Sequence, residues 1–310
     1  MITEISGFLN TGPMLSVPVI GDITDAIVDL VKDILCESIT GYLNEIFDFF
    51  TDKTNSAAGL LSQSPSSFSG VLFNLAKTVS DNVMIPIAAV IVALVLCYEI
   101  ITMIIDKNNF SDGDETLIFI KFAFKGFIAI TLINNAYKIT NAIFDVGTDA
   151  CSQVISLASL NYDASAQSAT LASAFESQKD SLGVGQLVVI LIQCVILWLI
   201  FIGIGMVMLI TVYSRMVMIY IYTSIAPVTF ATLSNKELQN TGVHFIKQLI
   251  SLAFQAVFLI LILAMFKAML DNFTPTGEFT SELWKVCALG VALAVTASKS
   301  GNISEAIFGC

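Results

Sequence analysis

The chain has 310 residues, of which 56% are hydrophobic and 13% charged, with a formal net charge of −11 and a mean hydropathy of +0.84. Soluble domains carry ~45–50% apolar and ~25% charged residues, so an ordinary soluble protein is excluded. The acidity also excludes a chain that grips nucleic acid by neutralising its phosphates.

In chain order, residues 1–21 lack a basic stretch followed by a long apolar one, so insertion is expected to rely on internal spans. From Asp22 to Phe50 the pattern is amphipathic. Ile23, Ile27, Leu30, Val31, Ile34 and Leu35 recur at helical spacing opposite a stripe of Asp22, Asp25, Asp29, Asp33 and Glu37. After Gly41 the apolar set shifts to Tyr42, Leu43, Ile46, Phe47 and Phe50, and a kink or break is expected near Gly41. Lipid-binding amphipathic helices are usually basic on the polar face. This acidic one is expected to pack on protein or to lie on the membrane face away from the cytoplasm. Lys53–Gly70 reads as a Ser-rich linker. The domain division expected is therefore 1–75, amphipathic helix and linker, and 76–310, the transmembrane part.

The first span is expected at 83–105, with Pro86 in its opening turn, and the second at 116–133 after the polar turn Asp106–Glu115. The brevity of that turn makes the pair antiparallel, and the second helix continues amphipathically through Val146. Ser156–Gly185 reads as an exposed loop with a short helix near Thr170–Glu176. The run Leu187–Leu233 then contains one charged residue, Arg215. As a single helix it would be roughly 70 Å long at ~1.5 Å per residue, against a hydrocarbon core of ~30 Å. Two spans are therefore expected, 187–212 and 216–233, turning at Tyr213, Ser214 and Arg215. Pro227 marks a kink or last turn in the second. A fifth span is expected at 243–270, and 286–297 is short enough to be re-entrant, interfacial or a sixth span. The fold class expected is all-α: a polytopic transmembrane helical protein with about five spans, an N-terminal amphipathic helix and a short C-terminal apolar helix. Gly126, Gly203 and Gly205 are positions where helices could approach closely.

Ionisable groups inside spans are the default functional candidates. Glu99 lies about 9 Å from the first turn, and Lys121 and Lys125 about 6 and 12 Å from it, at ~1.5 Å per residue. The two lysines share a helix face. An intramembrane pairing of Glu99 with Lys121 or Lys125 is expected, either fixing the hairpin or coupling an ion or proton. In the fifth span His244, Gln248, Ser251 and Gln255 form one polar stripe, facing protein or a water-lined conduit rather than lipid. No GxSxG, HExxH, P-loop or aqueous carboxylate dyad is present, so no catalytic residues and no enzyme activity are expected. The six cysteines form no CxxC pair and cannot make a zinc site with the single His244, so they are read as unpaired, and no metal or cofactor is expected. Lysine and arginine distribute equally between the two sides under the positive-inside rule. An N-terminus outside is chosen because it puts Arg215 at a cytoplasmic turn. The scarcity of arginine beside many Ile and Asn points to an AT-rich bacterial genome.

The block Arg215…Tyr222-Thr223-Ser224-Ile225-Ala226-Pro227-Val228, followed after a short polar loop by Gly242-Val243-His244-Phe245-Ile246-Lys247-Gln248-Leu249, resembles the TrbL-type polytopic membrane subunit of conjugative type IV secretion systems. The layout of residues 22–270 is similar too, although the central loop is short and no long C-terminal extension follows. The resemblance implies a non-enzymatic channel or assembly subunit in the cytoplasmic membrane. It would oligomerise as a ring with secretion ATPases, other channel subunits and stalk proteins, and would help pass a DNA–protein substrate. The alternative from the residues themselves is a small-solute transporter or ion channel using Glu99, Lys121 and Lys125. The repeats and broken midplane helices common in transporters are not evident here.

Overall fold

The computed structural model describes residues 17–106, 115–158, 163, 165–234, 238–275 and 277–310, and they form an all-α protein. The helices are α1 Val17–Leu61, α2 Pro65–Phe68, α3 Gly70–Val79, α4 Ile85–Asp106, α5 Glu115–Leu157, α6 Ser165–Glu176, α7 Val184–Thr232, α8 Gln239–Asp271, α9 Phe279–Ser298 and α10 Ser300–Phe308. Among the described residues four stretches are long and apolar enough to cross a membrane: Gly70–Thr102, Val184–Thr232, Gln239–Asp271 and Phe279–Ser298. The protein is a polytopic membrane protein. The expected span at 116–133 is the first part of α5, where the side chains of 115–119 and of Lys121 lie outside the described residues, as do most of the polar turn before it and parts of the loops at 156–185 and 234–242.

Three expectations need correcting. The helix α7 runs unbroken for 49 residues through Tyr213, Ser214 and Arg215, so the expected turn there is absent. The reason is packing: Arg215 is buried against α8 and Tyr213 meets Phe68 edge-on at 5.7 Å between ring centroids. Neighbouring elements occupy these polar groups, and the helix has no need to end for them. Likewise α1 passes through Gly41 and continues to Leu61, into the stretch read as linker. One glycine costs a helix only ~1 kcal/mol relative to alanine, too little to break a packed one. Two of the serines that suggested a linker are helix caps: Ser64 accepts from the Ser67 N–H at the start of α2, and Ser69 from the Leu72 N–H at the start of α3. Finally, the last apolar stretch begins earlier than expected, at Phe279, giving α9 20 residues.

Between α3 and α4 the backbone makes a π-helical turn, Ser80–Met84. Pro86 follows after Ile85 and has no N–H to give to the carbonyl four residues back. A π-turn is one of the ways a helix absorbs that lost bond.

The described chain divides into two compact units. The first takes residues up to Asp48 together with Ala164–Phe201 and Thr274–Cys287. There α1 buries Ile39, Leu43, Ile46 and Phe47, while Ile27, Leu30 and Ile34 stay exposed. Asn44 accepts a hydrogen bond from Ser168 of α6, and α6 buries Leu171 and Phe175, so this segment is not simply an exposed loop. Phe175 packs on Phe279 with ring centroids 5.1 Å apart. The Gln178 side-chain amide holds the start of α9 from both sides, donating to the Gly277 carbonyl at 3.3 Å and accepting from the Phe279 N–H at 3.2 Å.

The second unit comprises Phe49–Asp163, Ile202–Phe273 and Ala288–Cys310. Its core is the meeting of α5, α7 and α8, where Ala136 and Phe144, Met216, Ile219 and Phe230, and Phe245, Leu249 and Ala253 are buried together. A smaller cluster joins Ala88 and Val92 of α4 to Ala129 and Ile133 of α5. Two tyrosines tie the early helices to this core. Tyr137 donates to the Phe73 carbonyl at 3.2 Å, and buried Tyr220 donates to the Pro65 carbonyl at 2.7 Å. A net hydrogen bond contributes about 0.5–1.5 kcal/mol, and leaving a buried acceptor empty costs more. Tyr220→Phe should therefore lower unfolding stability in detergent by about 1–2 kcal/mol. A Tyr220→Phe protein with an unchanged thermal midpoint would show that this bond adds nothing.

Candidate functional site

The second unit holds two places where polar chemistry sits within apolar helices. The first lies between α4 and α5. Lys125 Nζ forms an ion pair with Glu99 Oε1, both side chains being partly exposed. The other carboxylate oxygen, Oε2, is buried and has no hydrogen-bond partner among the described residues. Lys121 is on the same helix, with its side chain outside the described residues. Gly126 is next to this pair, and a Cβ there would meet Leu96 at 3.4 Å, an ordinary contact. Lys125 also borders a cavity of about 260 Å³ with Phe124, Ile128 and Leu233.

The second place is a cavity of about 300 Å³ bordered by α7, α8, α9 and α10. Arg215 lines it while only 3% exposed. Its Nε donates to the Leu252 carbonyl at 3.1 Å and Nη2 to the Ala253 carbonyl at 3.4 Å. Its remaining contact, Nη1 to the Met216 sulfur at 3.6 Å, is a weak one. No carboxylate lies within 4.0 Å of its nitrogens among the described residues.

Three members of the polar stripe on α8 reach this cavity: Gln248, Ser251 and Gln255. Gln248 accepts from the Tyr222 hydroxyl at 3.3 Å, and Gln255 meets the Ser300 hydroxyl at 3.4 Å. Ser251 is buried, and its carbonyl accepts from the Ser304 hydroxyl at 2.6 Å. The fourth member, His244, is exposed and does not line the cavity. Pro227 lies within α7, which continues to Thr232; beside it Ala226 is fully buried and Phe230 packs edge-on against Phe245.

Sequence reasoning missed α10, whose residues Gly301, Asn302 and Glu305 form another wall of the cavity. Its apolar content is low, but Gly309, at φ +68°, is a helix-ending signal that was available. It also missed the glycine at the close approach of α5 to α8. A Cβ at Gly147 of α5 would come within 2.7 Å of the Ala253 carbonyl oxygen on α8. Gly203 has nothing within 4 Å of such a Cβ, whereas Gly205 faces Phe49 at 2.9 Å. The arrangement offers buried donors beside a cavity lined by polar side chains. Among the described residues no group of three or more His, Cys, Asp or Glu is placed to hold a metal ion, and all six cysteines are free thiols.

A family model described as TrbL/VirB6 plasmid conjugal transfer like protein matches residues 50–227, from within α1 to Pro227. No curated protein sequence and no solved structure matches the chain.

Proposed function

The chain belongs to the TrbL/VirB6 plasmid conjugal transfer-like family, and from that premise we propose that it is a channel or assembly subunit of a conjugative type IV secretion system. In this reading it sits in the bacterial cytoplasmic membrane, oligomerises, and helps a DNA–protein substrate cross. The secretion ATPases, other channel subunits and stalk proteins are its partners. Residues 1–75 serve assembly and 76–310 form the spanning part.

The observation that carries this reading is the outward face of α7. Exposed apolar side chains continue from Val188 through Ile192, Leu199, Ile210 and Val217 to Ile221. At ~1.5 Å per residue that stripe is about 50 Å long. Fitting it into ~30 Å of hydrocarbon would need a tilt of about 53°, beyond the ~0–40° found for membrane helices. Part of the stripe therefore calls for a protein neighbour, as a subunit of an assembly has and a solitary transporter does not.

The choice of side has to rest on other residues, because Arg215 is inside a helix. The acidic residues Asp25, Asp29, Asp33 and Glu37 would be repelled by the anionic cytoplasmic leaflet, which favours an N-terminus on the opposite face. Deleting the gene from a donor strain should reduce plasmid transfer to the level of a donor without a secretion system, with wild-type expression restoring it. The protein in mild detergent should run as a particle larger than a dimer. Normal transfer by the deletion strain, or a monomer that moves a small solute into liposomes through Glu99 and Lys125, would overturn the proposal.

A further inference from the structure

The cavity around Arg215 has no partner in the assembly reading. Its chemistry has two signs. A fully charged guanidinium lines it, 3% exposed and without a carboxylate among the described residues, its best hydrogen bonds going to two backbone carbonyls. Carbonyl oxygens take up donors but do not neutralise a charge, and an uncompensated buried cation is costly. The cavity is also lined by Gly301 and Asn302 in the first turn of α10, a nine-residue helix whose N-cap Lys299 makes no side-chain capping bond. The start of a helix favours an oxyanion. Gln248 spends its carbonyl oxygen on Tyr222, so its amide donors remain for a ligand. At the opposite sign, exposed Glu305 borders the cavity and forms no ion pair among the described residues.

We propose that this cavity binds a zwitterionic phosphoethanolamine group, its phosphate on Arg215 and the start of α10 and its ammonium on Glu305. A simple anion would leave Glu305 as a like charge beside it, while a simple cation would leave Arg215 unpaired. A phosphate ester linked through two carbons to an ammonium satisfies both, and its size is well within about 300 Å³. The group could be the headgroup of phosphatidylethanolamine or the free compound, O-phosphoethanolamine. The assignment holds whatever complex the chain assembles into.

The test uses the full chain in detergent, titrated with phosphatidylethanolamine, phosphatidylglycerol and O-phosphoethanolamine, with occupancy read by native mass spectrometry. Wild type should take phosphatidylethanolamine about tenfold or more tightly over phosphatidylglycerol, the scale of one charge-assisted hydrogen bond. Glu305→Gln, at an exposed position, should fold normally and lose that preference. Arg215→Gln should weaken both lipids. If O-phosphoethanolamine competes at comparable affinity, the group is recognised from the soluble pool; if only the lipid binds, it is recognised in the membrane. Wild type with no preference for the ethanolamine lipid, or Glu305→Gln that keeps it, would overturn the proposal.

Discussion

Gly147→Ala is expected to destabilise the protein by about 2–4 kcal/mol, a little beyond the ~1–3 typical of overpacking. The excess follows from what the new methyl group meets. It would lie 2.7 Å from the Ala253 carbonyl oxygen, 3.0 Å from the carbonyl carbon and 3.1 Å from the Ala253 methyl. These are mostly backbone atoms of a facing helix, which cannot rotate away as a side chain can. The same carbonyl accepts a hydrogen bond from Arg215, so pushing α8 aside also disturbs the buried guanidinium. Gly147→Leu should leave little folded protein. Gly41→Ala and Gly203→Ala are the controls, because nothing lies within 4 Å of a Cβ at either site. Exchanging glycine for alanine in a helix adds roughly 0.5–1 kcal/mol, so both controls should melt at or slightly above the wild-type temperature in detergent. A Gly147→Ala protein as stable as these controls would mean that α5 and α8 do not cross closely there.

Breaking the Glu99–Lys125 pair should have the next largest effect. A fully buried pair that loses one partner costs ~3–5 kcal/mol, and a solvent-exposed pair is worth at most ~1. With side chains 24% and 31% exposed, this pair lies between, and Glu99→Gln or Lys125→Met should each cost about 2 kcal/mol. The double variant should cost clearly less than the sum, with a coupling of about 0.5–3 kcal/mol. The reversed pair, Glu99→Lys with Lys125→Glu, should recover much of the loss. Equal and additive losses in detergent unfolding would show that the residues do not act as a pair. Transfer frequency measured on the same strains separates the two roles: a purely structural pair is rescued by reversal, while ion coupling is not.

The helical, membrane-embedded character of the chain could be read from its residues, because apolar runs of this length have few other solutions. The two ends of the α8 stripe show the limit of that reading. Gln248, Ser251 and Gln255 share a face by periodicity alone, and they share a cavity in the fold. His244 has the same spacing but lies near the helix start, where α10 and α7 do not enclose it. The turn at Arg215 failed for a different reason. A charge in an apolar run reads locally as an exit to water, but carbonyls supplied by Leu252 and Ala253, some 37 residues later, let it stay inside. Gly147 was missed because its importance depends on which residue faces it from α8. The family block was legible only in part, since the match ends at Pro227 and does not include the Gly242–Leu249 segment that contributed to the resemblance.

The bond from Tyr220 to Pro65 also has a meaning in time. Its two ends are 155 residues apart in the chain. At a synthesis rate of ~5–20 residues per second, roughly 8–30 s pass between their emergence from the ribosome. Throughout that interval α2 is already made but lacks the tyrosine that holds it. Phe68 of the same short helix also waits for its ring partner, Tyr213. The order of synthesis therefore leaves α2 without its packing partners until α7 is made.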